Sequence, residues 1–460
     1  MVVLALIISF LVGLTLILSI SAKFSTLEYA TMSFPIGLGF QSILMSILDL
    51  LNIGIHASGT LIASLLCMIV LGYFAYKNIQ NTPEFIQSFN LKQFKLPKPN
   101  YTWLLFFGLL VWFEGMNFYK TTFLPTFDTD SIRGFDFVAR TISIEGTLKQ
   151  LSLFTDPNLS FQGDAGLASY TPMVQLSYAY VYLFGATSSK IVSALLYLCF
   201  LGMFYSALKR VTTHTAAAIA TFLMMITPEM LAFSALSGIN VIHASYASIG
   251  LIYATLWFKN KRMDFLLVSS ILLALNCFAR NEGIVFSGMA FLLVAYKMFK
   301  KEVSWKTTLL FFLISFFGFI YWNISLKINN IHSGSNLIIL KPYWDADKAS
   351  TIFEELKVLY GNTLYYGIGI YLFGIMLVIN LWNIIKKADQ LPLIASIFGV
   401  ILFYTILIYQ IDYVWDTIEN VLRYSYKRFL FSFIPLMWFY IATNHNVLWS
   451  TKKLDQLLYK

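Results

Sequence analysis

Charge is scarce in this chain: 12% of its 460 residues are Asp, Glu, Lys or Arg, against roughly 25% in a soluble domain. Cysteine is nearly absent. Cys67, Cys199 and Cys277 each fall inside an apolar run, which excludes a disulfide framework or a CxxC metal pair. The five histidines, His56, His214, His243, His332 and His445, show no HExxH or similar spacing, so no metal centre is expected. Carboxylates within the apolar runs are few, chiefly Asp49 and Glu114, too few for a proton relay through a membrane. The short alternating segments of a transmembrane β-barrel are missing too.

What is present is apolar residues, 58% of the chain, with a mean hydropathy of +0.70. No soluble globular fold has that balance. Roughly 267 apolar residues, at about 20 per span, suffice for about thirteen transmembrane helices. The expected fold class is therefore an all-α polytopic membrane protein, with apolar runs near 2–20, 34–53, 59–76, 101–118, 189–208, 212–228, 239–257, 263–279, 283–299, 305–325, 363–385, 391–411 and 428–447. The first run lacks a basic n-region and a clear cleavage site and reads as a retained span.

The net charge of +9 follows from the positive-inside bias rather than from nucleic-acid binding, which is not expected. Loops alternate between two sides. One side, with Lys23, Lys77, Lys209, Arg210, Lys259, Lys301, Lys386 and Lys453 among its residues, holds 19 of the 32 basic and six of the 23 acidic residues. That side is expected to be cytoplasmic. The long polar loops at about 119–188, 326–362 and 412–427 then face outward, and loops of that length usually carry function.

Four segments on the outward side could carry chemistry. Asp128, Asp130 and Asp136 follow the fourth span, where a carboxylate suits a general base acting beside a membrane-borne substrate. Turn-forming Asp residues and a helix N-cap at Asp130 account for the same pattern. Residues 131–150 read as a polar helix, and 170–184, opened by Tyr170-Thr171-Pro172, as an amphipathic helix at the membrane surface. Arg280-Asn281-Glu282-Gly283 forms a tight corner between two spans, either a structural ion pair or an anion site for a lipid phosphate. Arg423, Lys427 and Arg428 break the charge trend of the outer side, and either pair with Asp412, Asp416 and Glu419 of the same loop or meet a negative partner.

In their order these segments resemble the integral-membrane GT-C glycosyltransferases of the protein O-mannosyltransferase and lipid A aminoarabinose transferase branch. The resemblance covers about residues 101–300 and rests on Asp128/Asp130, Tyr170-Thr-Pro172, Leu183-Phe-Gly185 and Arg280-Asn-Glu-Gly283, with a weaker echo from Arg428 to Leu436. Two features differ. Thr129 separates the two aspartates that are often adjacent in the family, and Gly238-Ile239-Asn240 stands where an Asp is common.

The resemblance implies transfer of a sugar from a polyprenyl-phosphate donor to a hydroxyl of a glycan, lipid or protein acceptor, on the outer face of the inner (cytoplasmic) membrane, with inversion. It implies Asp130 or Asp128 as the base, and Arg140, Tyr170, Arg280, Glu282 and Arg428 as substrate contacts, with no cofactor and no metal. Membrane lipid is the remaining expected partner. The expected organisation is an N-terminal three-span extension and cytoplasmic linker (1–100), a GT-C-like core (101–300) and C-terminal spans (301–460). An O-antigen-type polymerase or ligase and a secondary transporter are the alternatives; internal inverted repeats, which would favour the latter, are not evident.

Overall fold

A computed structural model describes residues 1–21, 23–82, 101–155, 170–331, 338–340, 343–413 and 416–458. Lys92, Lys95 and Lys98 of the expected linker and His332 lie outside the described residues. The described chain is helical apart from an antiparallel ribbon, β1 (Ile338–Leu340) on β2 (Ile411–Tyr413), with Ile339 opposite Asp412. It divides into two compact units, one of residues 1–206 with 235–239, the other of 207–234 with 240–460.

The first unit contains α1 (Val2–Ile20), α2 (Thr26–Leu50), α3 (Ala57–Gln80), α4 (Tyr101–Phe123), α5 (Asp136–Glu145), α6 (Met173–Leu183) and α7 (Lys190–Lys209), the last of which ends in the other unit. A capping box at Ser25 and Glu28 starts α2, satisfying two backbone donors at once. The division does not fall at residue 100. Asp49 at the end of α2 accepts from the backbone N–H groups of Leu148 and Lys149, each at 2.9 Å, and from Thr147 Oγ1 at 2.9 Å, which ties the N-terminal helices to the first long loop.

The second unit contains α8 (His214–Met225), α9 (Pro228–Phe233), α10 (Asn240–Asn260), α11 (Met263–Ala279), α12 (Gly283–Phe299), α13 (Trp305–Ser315), α14 (Phe317–Ile328), α15 (Ala346–Gly361), α16 (Gly369–Lys387), α17 (Leu391–Gln410), α18 (Phe433–Thr443) and α19 (His445–Leu458). Its core includes Trp257, Trp322, Tyr246 and Tyr253, all buried.

Among the described residues seven helices, α1, α2, α3, α7, α10, α16 and α17, are long and apolar enough to cross a membrane. The chain is an all-α polytopic membrane protein. The thirteen expected runs all overlap helices, but α8 has 12 residues, below the usual span length, and α11 and α12 have 17 each, at its lower limit. The run at 305–325 is α13 and α14, bent by 52°. Gly318 follows the break, and a Cβ there would stand 2.4 Å from the Ala274 carbonyl oxygen, so only glycine allows α14 this close to α11.

The surface helix expected at 170–184 is instead an interior one. Met173 to Val181 are all buried, and Ser177 and Ser42 of α2 share a hydrogen bond of 3.0 Å. Apolar and small residues go all the way round α6, so it has no face to offer water.

Candidate functional site

Arg280 leaves α11 in an extended conformation, φ −153° and ψ 138°, and its N–H donates to the Asn276 carbonyl at 2.9 Å. The chain then turns at once into α12. Gly283 makes the turn possible, because a Cβ there would lie 2.8 Å from the Asn276 carbonyl carbon and oxygen. Within this corner Arg280 Nε stands 3.0 Å from Glu282 Oε2, and Arg280 Nη1 donates to Asn240 Oδ1 at 3.3 Å. The Arg280 side chain is 10% exposed and that of Glu282 28%. Burial opposes ionisation of Glu282, but the Arg280 guanidinium and the His243 ring outweigh it and hold the carboxyl below its ordinary range. The pair is charged on both sides.

One turn into α10 from Asn240, His243 is fully buried between Phe286 and Phe429, with ring centroids 5.5 and 6.2 Å away. Its ring and the side-chain amide of the buried Asn276 face one another, without a hydrogen bond of full geometry to any other described group. Asn240, which opens α10 where the resemblance leads one to expect an Asp, is thus a neutral partner of Arg280. A carboxylate there would compete with any anion for the guanidinium.

The segment 416–433 belongs to the same unit. Arg423 makes a two-pronged contact with Glu355, at 2.6 and 2.9 Å, which lowers the pKa of that carboxyl, the hydrogen bond being the larger cause. Lys427 Nζ donates to Glu229 Oε1 at 2.9 Å and stands 4.4 Å from the Tyr365 ring centroid. Two of the three carboxylates of their own loop are engaged elsewhere: Asp412 by Lys348 at 2.6 Å, Asp416 by the Thr417 N–H and the Asn420 amide. The partners come from α15 and α9 instead. Arg428 lies over Phe233, 5.8 Å from its centroid.

In the first unit Asp128, not Asp130, is the cap. Its Oδ2 accepts from the Ser131 N–H and hydroxyl, both at 3.1 Å, while Asp130 is already helical and makes no capping bond. Residues 131–135 are a π-helical turn, as are 422–426 in the other unit; such turns are frequent at functional sites. The expected helix at 131–150 closes early, at Gly146, whose φ of +69° ends α5.

Arg140 is occupied by Asp136 at 3.1 Å and by the Thr187 carbonyl at 3.2 Å. Asp136 also accepts from the Tyr182 hydroxyl at 2.5 Å and from Ser189. Burial first, and then Asp136, pushes the Tyr182 phenol up to about 12, so it stays a donor. Tyr170, 37% exposed, meets Phe135 edge-on at 6.3 Å.

The expected residues therefore fall into two sets. Asp128, Asp130, Arg140 and Tyr170 lie in the first unit; Arg280, Glu282 and Arg428 lie in the second. Sequence reasoning passed over Glu229, Asn240 and His243 as site residues and gave Asp136 no role of its own. Of these only Asp136 had a usable signal, its spacing of four residues from Arg140 on one helix. Among the described residues no group of three or more His, Cys, Asp or Glu is placed to hold a metal ion. No family model, no curated protein and no solved structure matches the chain.

Proposed function

We propose that the protein is a GT-C-type glycosyltransferase of the inner membrane that moves a sugar from a polyprenyl-phosphate donor to an acceptor hydroxyl on the outer face. The observation that carries this reading is Arg280. A guanidinium nine-tenths withdrawn from solvent, backed by Glu282 and a neutral Asn240, and set at a corner between two apolar helices, suits a phosphate whose lipid tail lies along the helices. A planar fork so held is preorganised for a two-pronged contact.

In this reading a carboxylate accepts the proton of the acceptor hydroxyl as that oxygen attacks the anomeric carbon, the role that the resemblance gives to Asp130. The carbon–phosphate oxygen bond breaks, and the charge that grows on the leaving phosphate is met by Arg280. One displacement inverts the anomeric centre. Asp130 is preferred to Asp128 because it stands at the start of the helical stretch, where the resemblance places the family's acidic residue. Arg428, with its guanidinium over Phe233, is the second cation that the resemblance offers to the donor phosphate.

One observation favours the transporter reading: the 52° break between α13 and α14, since transporters build sites at broken helices. Only one such pair occurs among the described residues, whereas a repeat-based transporter needs a counterpart.

Mass spectrometry of envelope glycans, glycolipids and glycoproteins in a deletion strain separates the two. A glycosyltransferase leaves one sugar missing, restored by the wild-type gene but not by Arg280→Ala. An unchanged set of glycans sinks the proposal.

A further inference from the structure

The lysine-rich end of the second unit contains an open cavity of about 300 Å³ adjoined by a smaller one of about 140 Å³. Lys259, in the last turn of α10, and Asp389, in the corner between α16 and α17, line both. Neither takes part in an ion pair within 4 Å among the described residues, so one cavity presents two unmatched charges of opposite sign. Its inner wall is polar and rigid. Asn383 donates to Asn380 Oδ1 at 3.0 Å, Asn380 to Gln390 Oε1 at 2.8 Å, and Gln390 to the Thr443 carbonyl at 2.7 Å. Asn380, at 1% exposure, is fixed by that chain of amides. The opposite wall is apolar, with Leu256, Leu393, Phe439 and Leu448.

Both charges lie at the ends of helices long and apolar enough to cross a membrane, and the ends of such helices are where lipid head groups are met. The volume is at the lower end of ligand pockets, about 300–1,000 Å³, which suits a head group rather than a whole lipid or a nucleotide. A purely anionic head group would place its phosphate against Asp389. A head group carrying both charges satisfies both residues.

We propose that this cavity is a binding site for a zwitterionic phospholipid of the phosphoethanolamine type, with the phosphate on Lys259, the ammonium on Asp389 and the acyl chains along the apolar wall. The site makes no use of the residues assigned to sugar transfer, and it stands or falls separately from that reaction.

The test is native mass spectrometry of the full-length protein in detergent, titrated with dioleoyl-phosphatidylethanolamine, with dioleoyl-phosphatidylglycerol and with soluble glycerophosphoethanolamine. The expected result is retention of the ethanolamine lipid about three- to tenfold above the glycerol lipid, the range of one charge-assisted contact at a partly open site. Asp389→Asn should erase that preference without lowering binding of the glycerol lipid, and Lys259→Gln should weaken both lipids. Lys386→Gln, a change at the same end but outside the cavity wall, should alter neither.

Equal retention of the two lipids by the wild type overturns the proposal, as does an Asp389→Asn variant with its preference intact. A Lys386→Gln variant that matches Lys259→Gln would show a diffuse field rather than a site. Binding of glycerophosphoethanolamine as tight as that of the lipid would assign the cavity to a soluble ligand and overturn the lipid assignment.

Discussion

Two aspartates six residues apart have opposite employment. Asp136 is surrounded by donors from Arg140, Tyr182 and Ser189, a carboxylate whose oxygens are used up in holding α5, α6 and the start of α7 together. Asp130 makes no capping bond, and the proposed reading gives it the role of general base. Asp136→Asn should therefore cost stability, about 1.5–3 kcal/mol for hydrogen bonds to a charged group, read as a lower thermal denaturation midpoint in detergent. Asp130→Asn should stay within about 0.5 kcal/mol and lose about 10²–10⁴-fold in turnover. If Asp130→Asn unfolds the protein while Asp136→Asn folds and is inactive, the two roles are exchanged. The string of acidic residues at 128–136 was plain in the sequence, but which of them is consumed by structure depends on Tyr182 and Ser189, more than forty residues away in the chain. No local pattern reports that.

At the scale of helices, α1 and α2 meet through small residues. Ser9 and Gly13 face Ser33 and Gly37, each pair four apart: a Cβ on Gly13 would stand 1.8 Å from the Ser33 carbonyl oxygen, and one on Gly37 1.8 Å from that of Ser9. Backbones this close gain packing that side chains would prevent. Gly13→Leu should force the helices apart and give protein that aggregates or melts early on size-exclusion and thermal assays. Gly59→Ala in α3, where nothing lies within 4 Å, should be neutral or stabilise by about 0.5–1 kcal/mol; equal behaviour of the two variants would mean that the crossing tolerates a wider gap. The positions of the helices were legible in the apolar runs because membrane helices need long uninterrupted apolar stretches. Their surroundings were not. The run that forms α6 was expected at the surface because it is short, yet its shortness goes with burial on all sides, and the partners of Arg423 and Lys427 came from distant helices rather than from their own loop.

For the whole chain, the alternation of loops inferred from charge has a counterpart in polar contacts within each unit. In the first, Asp49 binds Thr147 and its neighbours, joining two loops assigned outward, while Asn78 donates to the Leu18 and Ser19 carbonyls, joining two ends assigned inward. In the second, Glu229 meets Lys427 and Glu355 meets Arg423 among the outward loops. Thr215 meets Asp455, and Lys261 meets Glu302, among the inward ones. None of these contacts joins opposite sides, as expected if each loop lies on the side that the charge count gives it. Which side is cytoplasmic then rests on the lysines alone. Single cysteines at Lys357, in α15, and at Lys301, between α12 and α13, in a chain whose Cys67, Cys199 and Cys277 are replaced by alanine, make this measurable with a membrane-impermeant maleimide. Both lysines are exposed. The cysteine replacing Lys357 should label in intact cells stripped of any outer barrier, and the one replacing Lys301 only after permeabilisation. The reverse pattern would turn the molecule over, place the Arg280 corner on the cytoplasmic face and remove the outer-face reaction; labelling of both in intact cells would break the alternation itself.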